Sequence, residues 1–251
     1  MKQIFLFLFA FTSLALVAQR PATDQIQTIK GPLIIQPVFH GALVLTWDKK
    51  TIYVDPYGGA KAFEGLAAPD LILITDIHQD HLDLKTLEAI NTSKATFIVP
   101  AAVADKLPES LKSKAVVLAN ENSTIQQGIS FTAIAMYNLP EEPDAKHTKG
   151  RGNGYVFNLG GKTVYISGDT EDIPEMRQLK NIDVAFVCMN LPYTMDINQA
   201  ASAVLEFKPK TIYPYHYRGQ GGLSDTEAFK KLVNSGDAHI DVRLKNWYPE
   251  Y

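Results

Sequence analysis

From Leu33 onward, short apolar runs alternate with polar turns, and each run has the length of a β-strand. "LIIQPVFH", "ALVLTW" and "TIYVDP" come first, the last two joined across "DKK" as a hairpin. "LILIT", "TFIVP", "AVVLA" and "ISFTAIAMY" follow. Helical spacing interrupts them twice: Leu82, Leu84, Leu87 and Ile90 share one side of "LDLKTLEAI", and "AAVADKL" reads as a second helix. After a charged, Gly- and Pro-rich loop, "NLPEEPDAKHTKGRGNG", the order repeats. "YVFNL" and "TVYISGDT" form a hairpin across "GGK", "DVAFVCMN" is a strand, "INQAASAVLEF" a helix and "TIYPYHY" a strand. "SDTEAFKKLV" reads as a helix capped by Ser224 and Glu227, and "HIDVRL" is a last strand. Strands early in each half with helices after them predict two similar α/β halves packed sheet to sheet, with a site along one rim.

The chain begins differently. Lys2, an apolar run from Ile4 and small residues at Ala15 and Ala18 read as a secretory signal peptide over 1–18. Residues 19–32 form a polar lead, and 33–251 a single domain. This start places the protein in the periplasm or outside the cell, with no stable membrane insertion once it is removed. Over the whole chain, a composition 46% hydrophobic and 20% charged is that of a globular protein. A net charge of −3 and a pI of 6.1 show no basic excess of the kind nucleic acid attracts. Cys188 is the only cysteine, so the chain has no internal disulfide, and its apolar strand marks it as a buried hydrophobe.

One stretch resists a purely structural reading. "TDIHQDHLD", 75–83, places three aspartates and two histidines directly after an apolar strand. Asp76 and His78 alternate and so point the same way on extended backbone, while Asp80 and His81 lie in the turn before a helix. Imidazole nitrogen and carboxylate oxygen both suit divalent metals, and clustered carboxylates without a cation repel one another. Other strand ends and loops add His147 in "KHTKG", Asp169 after Gly168, and His216 in "TIYPYHY".

In that chain order, "DIHQDH" at 76–81, "HTKG" at 147–150, "GDT" at 168–170 and His216 resemble the metallo-β-lactamase superfamily of metal-dependent hydrolases, from Leu33 to the C-terminus. "TIYVDP" with Asp55 resembles a strand end common there, and the wider set resembles generic hydrolases more than antibiotic-degrading ones. The resemblance implies a four-layer αββα sandwich and two divalent metal positions, zinc first. Asp76, His78 and His147 would hold one ion, Asp80, His81 and His216 the other, and Asp169 would bridge them. Asp80 would also orient the attacking hydroxide. Asp76 departs from the usual motif, which has His; its oxygen suits manganese or iron as well. Summing Asp76, Asp80 and Asp169 against two divalent ions and one hydroxide gives zero; the alternative is a single ion in the second position, with Asp76 supporting a ligand rather than binding metal.

The substrate expected is a small molecule cleaved at an ester, lactone, amide or phosphodiester bond. Lys149, Arg151, Tyr193, Tyr217 and Arg218 are candidates to touch it, and His40 is read as structural. The alternatives are a non-catalytic metal-binding or sensing protein and a nuclease; the acidic pI and the exported start weigh against the second.

Overall fold

The apolar runs pair into two sheets that share one plan. In the computed structural model, which describes residues 20–249, the first sheet holds its strands in chain order. They are β1 (Asp24–Thr28), β2 (Gly31–Phe39), β3 (Ala42–Trp47), β4 (Lys50–Val54), β5 (Leu71–Leu73), β6 (Thr96–Val99) and β7 (Ala115–Val117). β1 to β4 run antiparallel, and β4 to β7 parallel. The second sheet is built from β8 (Ser123–Gln126), β9 (Ile129–Met136), β10 (Gly152–Leu159), β11 (Lys162–Ile166), β12 (Val184–Cys188) and β13 (Thr211–Tyr215). A small hairpin, β14 (Arg218–Gly219) and β15 (Gly222–Leu223), precedes the last strand of that sheet, β16 (Asp241–Val242). Here too the first four strands are antiparallel and the remainder parallel.

Helices fill the parallel crossovers, as such connections require. α1 (Leu84–Ala89), α2 (Ala101–Ala104) and α3 (Glu109–Lys112) serve the first half; α4 (Pro174–Arg177), α5 (Ile197–Phe207) and α6 (Thr226–Gly236) serve the second. The period-2 alternation explains the layering. Leu43, Leu45, Leu71 and Leu73 pack with Phe131 and Phe157 between the sheets. Their neighbours Val44, Tyr53, Ile72 and Ile74 pack with Leu87, Val103 and Leu111 on the helical side. A sheet buried on both faces has apolar residues at consecutive positions, as its runs do. The expected four-layer αββα sandwich of two similar halves is the fold.

Local differences have local causes. The polar lead is not wholly a lead: Asp24–Thr28 pairs with Ile35–Gly31 as an edge strand, half-burying Ile26 while its polar neighbours stay outward. "AAVADKL" supports only a four-residue helix, and "HIDVRL" only a two-residue strand. Ser224 does not cap α6; its hydroxyl donates to Met189 O, and Asp225 accepts from Ala228 N instead. The capping box lies on α5, between Asp196 and Gln199. The proposed signal segment lies outside the described residues. Among the described residues no helix is long and apolar enough to cross a membrane.

Candidate metal centre

Parallel strands end at one rim, and there the chain places its polar groups. Asp55 follows β4, Thr75–Asp83 follows β5, Asp169 follows β11, Asn190 follows β12 and His216 follows β13. Open α/β sheets bind ligands beyond such carboxyl ends. Two connections at the same rim add a histidine each: His40 in the β2–β3 turn and His147 in the β9–β10 loop.

Asp169 is the hub. Its Oδ2 lies 3.4 Å from His81 Nε2 and 3.3 Å from His147 Nε2, and its Oδ1 lies 3.2 Å from His216 Nε2. Gly168 brings it there with φ 63°; a Cβ at that glycine would sit 2.7 Å from Met136 Sδ and 3.1 Å from Thr75 Cβ. Burial alone would raise the Asp169 pKa, but His216 and His81 beside it hold the carboxyl well below its ordinary range.

Two of the buried imidazoles, His81 and His147, are fixed from their other side. His81 Nδ1 sits 2.8 Å from Asp55 Oδ2, and Asp55 also accepts from Thr75 N and Thr75 Oγ1. A carboxylate only accepts, so His81 donates its Nδ1 proton to Asp55 and leaves Nε2 as the atom aimed at Asp169; burial alone would lower the His81 pKa, but Asp169 and Asp55 beside it hold it well above its ordinary value. His147 Nδ1 donates to Asn138 Oδ1 at 3.1 Å, which frees its Nε2 in the same way. Such outer partners orient metal-ligating histidines.

Asp80 lies across from this hub, with Oδ2 3.5 Å from His216 Nε2 and 3.0 Å from His40 Nε2. Burial opposes ionisation, yet bonds from His216 and His40 keep its carboxyl far below the usual range. Asp76, fully buried, receives His78 Nδ1 at 2.6 Å on Oδ2 and lies 3.9 Å from His147 Nε2. Three donor triads emerge: Asp76–His78–His147, His81–Asp169–His216 and His40–Asp80–His216. All seven candidate ligands are therefore brought together.

The donor set fits a metal ion on an observation independent of any resemblance. His81 Nε2, His147 Nε2 and Asp169 Oδ1 are buried and lack a hydrogen-bond partner among the described residues, although they converge. Buried polar atoms are almost always satisfied, and a cation would satisfy these.

The candidate substrate contacts divide. Tyr193 and Arg218 line a cleft of about 230 Å³ with His78, Asp80 and Asp169. Tyr217 does not face it: its hydroxyl donates to Lys245 O and accepts from Trp247 N, pinning the C-terminal segment. Lys149 is held by Glu141 and Glu175, each at 3.1 Å, and Arg151 is held by Asp76. Both cations are already neutralised. Lys146 and Asn190, which the sequence reading passed over, line the cleft instead. His40, read as structural, has its ring 3.9 Å from that of His216.

A sandwich with this rim of donors is the architecture of a metal-dependent hydrolase. The chain matches the β-lactamase superfamily domain over residues 35–216 and belongs to that family. It is 32% identical over 216 residues to a UPF0173 metal-dependent hydrolase of Pyrococcus abyssi, covering 82% of this chain and 93% of that one. A comparable UPF0173 protein of Staphylococcus carnosus is 30% identical over 220 residues, covering 80% and 94%. Among solved structures, a protein from Parabacteroides distasonis described as a candidate metal-dependent hydrolase is 38% identical, with TM-score 0.79, covering 90% of this chain and 98% of that one. The Igni18 metallo hydrolase of Ignicoccus hospitalis, 24% identical over 84% of this chain and 93% of its own, shares the fold at TM-score 0.70.

Proposed function

We propose that this metal-dependent hydrolase is exported, and that it cleaves an ester, lactone, amide or phosphodiester bond in a small anionic molecule. The observation that carries the metal reading is the convergence of buried, unpartnered His81 Nε2, His147 Nε2 and Asp169 Oδ1. When bound, the metal, zinc first among the candidates, would polarise the scissile group and acidify water, lowering its pKa toward roughly 7. The chain's own residues do the rest. Asp169 holds the ligand histidines at a common distance, and Asp80, ionised and 25% exposed at the cleft, would accept a hydrogen bond from the attacking water and orient it. Asn190, with a buried Oδ1 lacking a partner and an amide 3.3 Å from His216 Nε2, is placed to hydrogen-bond the bound molecule.

The anionic preference rests on which cations are uncommitted. Among the described residues Lys146 and Arg218 form no ion pair, and both line the cleft; Lys146 Nζ lies 5.2 Å over the Tyr193 ring. Export is supported by the Lys2-plus-apolar start alone.

The test joins three measurements. N-terminal sequencing of the exported protein is expected to begin near Gln19; an intact Met1 on a membrane-embedded product sinks the export proposal. Metal analysis is run with a panel of chromogenic esters, lactones, amides and phosphodiesters, neutral and anionic. Asp169→Ala is expected to lose most bound metal and nearly all turnover. Lys146→Ala with Arg218→Ala is expected to raise KM for anionic substrates at least ~10-fold and to leave neutral ones little changed. Full metal content and unchanged rate in Asp169→Ala refute the site, and no turnover across the panel refutes the proposed bond types.

A further inference from the structure

Arg151 grips Asp76 like a fork. Its Nε lies 3.1 Å from Oδ1 and its Nη2 3.1 Å from Oδ2, while Nη2 also donates to Lys146 O at 2.7 Å. Asp76 is fully buried and Arg151 mostly so. With His78 Nδ1 also on Oδ2, both carboxylate oxygens of Asp76 are engaged by the protein itself. We infer that the two donor triads are unequal by construction: His81–Asp169–His216 with Asp80 binds one divalent ion tightly, whereas Arg151 weakens the Asp76–His78–His147 position.

Three observations lead there. First, a bidentate guanidinium on a carboxylate is among the stronger side-chain pairings, and an ion binding Asp76 must share or displace it. Second, the unpartnered atoms are unevenly placed: His81 Nε2 and Asp169 Oδ1 belong to one triad, and only His147 Nε2 belongs to the other. Third, the local charges differ. An ion beside His81 and His216 faces Asp169 and Asp80, with Asp55 behind His81. An ion beside Asp76 and His147 shares Asp169, whose Oδ2 lies 3.3 Å from His147 Nε2, but the one further carboxylate it faces is already neutralised by Arg151. A charge count over Asp76, Asp80 and Asp169 misses both Arg151 and Asp55: the first removes negative charge beside Asp76, and the second adds it behind His81.

This inference rests on the metal-hydrolase reading, and the experiment separates the two. Protein stripped with a chelator is titrated with Zn²⁺ and separately with Mn²⁺ by calorimetry, and soaked crystals are read by anomalous scattering. Wild type is expected to take one equivalent tightly and a second at least ~10-fold more weakly, with the stronger anomalous peak beside His81, Asp169 and His216. Arg151→Gln is expected to narrow the gap by tightening the second equivalent. Should that variant misfold, the wild-type titration and peak heights still decide. Two equivalents of equal affinity, or a stronger peak beside Asp76, overturn the inference and leave the metal-hydrolase reading intact. Binding of neither metal overturns both.

Discussion

His40 Nε2 stands 3.0 Å from Asp80 Oδ2, and its Nδ1 stands 2.9 Å from the hydroxyl of Tyr248. Burial pushes the His40 pKa down to about 4 despite the Asp80 carboxylate, so the ring is neutral at pH 7. An ionised Asp80 can only accept, which puts the imidazole proton on Nε2 and makes Nδ1 the acceptor from Tyr248. The C-terminal segment thereby sets the orientation of Asp80 through one ring. His40→Ala is expected to cut kcat/KM ~10–100-fold, the range typical of groups that orient a metal-site residue. Tyr248→Phe, which removes only the hydroxyl, should cost less. Turnover and unfolding midpoint are measured together; wild-type turnover in a folded His40→Ala protein would show that the contact positions nothing.

Asp55 makes a different demand. It holds the proton of His81 on Nδ1 and receives two bonds from Thr75, all inside the protein. Asp55→Asn keeps the shape but presents an NH₂ to one of these groups. If the amide nitrogen faces His81, the ring proton moves to Nε2, the atom aimed at Asp169. Zinc affinity is expected to fall ~10–100-fold. The measurement is a calorimetric Kd on the folded variant, and an unchanged Kd would remove Asp55 from the site.

Cys188 is fully buried, and burial, with Asp169 nearby, pushes its thiol up to about 12. A thiol attacks reagents as thiolate, so the native protein is expected to leave a disulfide reagent unreacted at pH 8 and to consume one equivalent per chain in denaturant. Cys188→Ala should retain turnover and cost roughly 1 kcal/mol of stability through the space it opens. Rapid native labelling, or a folded but inactive Cys188→Ala, would contradict this reading.

What could be read from sequence follows from how local each signal is. Asp76, His78, Asp80 and His81 are contiguous, and a strand end with four ligand-capable groups explains itself by chemistry. His147, Asp169 and His216 needed the chain order of a known family, because each alone is an ordinary loop or strand-end residue. His40 was missed for a topological reason. Strands β1–β7 correspond in sheet order to β8–β13 with β16, so the β2–β3 turn holding His40 corresponds to the β9–β10 loop holding His147. Matching the two halves would have flagged it. The Arg151–Asp76 pair spans 75 residues and depends on the path of a Gly-rich loop. No periodicity encodes that path, nor does any decide that Lys149 turns to Glu141 and Glu175 while Lys146 turns to the cleft. The short helices were over-read because apolar spacing over four to seven residues cannot set a length.

Asp76→His restores the commonest motif of the family at that position, and on sequence alone it is expected to be tolerated, with a shift toward zinc. The ion pair reverses the first part of that expectation. An imidazole leaves the Arg151 guanidinium mostly buried without its carboxylate, and removing one partner of a buried pair typically costs about 3–5 kcal/mol. Arg151 retains some exposure, 19% of its side chain, so part of that cost is relieved by rotation toward solvent. Asp76→His alone is therefore expected to unfold at clearly lower denaturant than wild type. Arg151→Gln alone leaves Asp76 buried with only His78 to pair it, and is destabilised as well. The double variant, Asp76→His with Arg151→Gln, loses both charges together and should recover part of the loss. Its coupling energy is expected to be on the order of 1–3 kcal/mol. Urea unfolding of all four proteins, each with chelator and with zinc, closes the cycle. Additive single effects would mean that Asp76 and Arg151 are neighbours without being matched, and Asp76→His as stable as wild type would mean that the guanidinium never depended on the carboxylate.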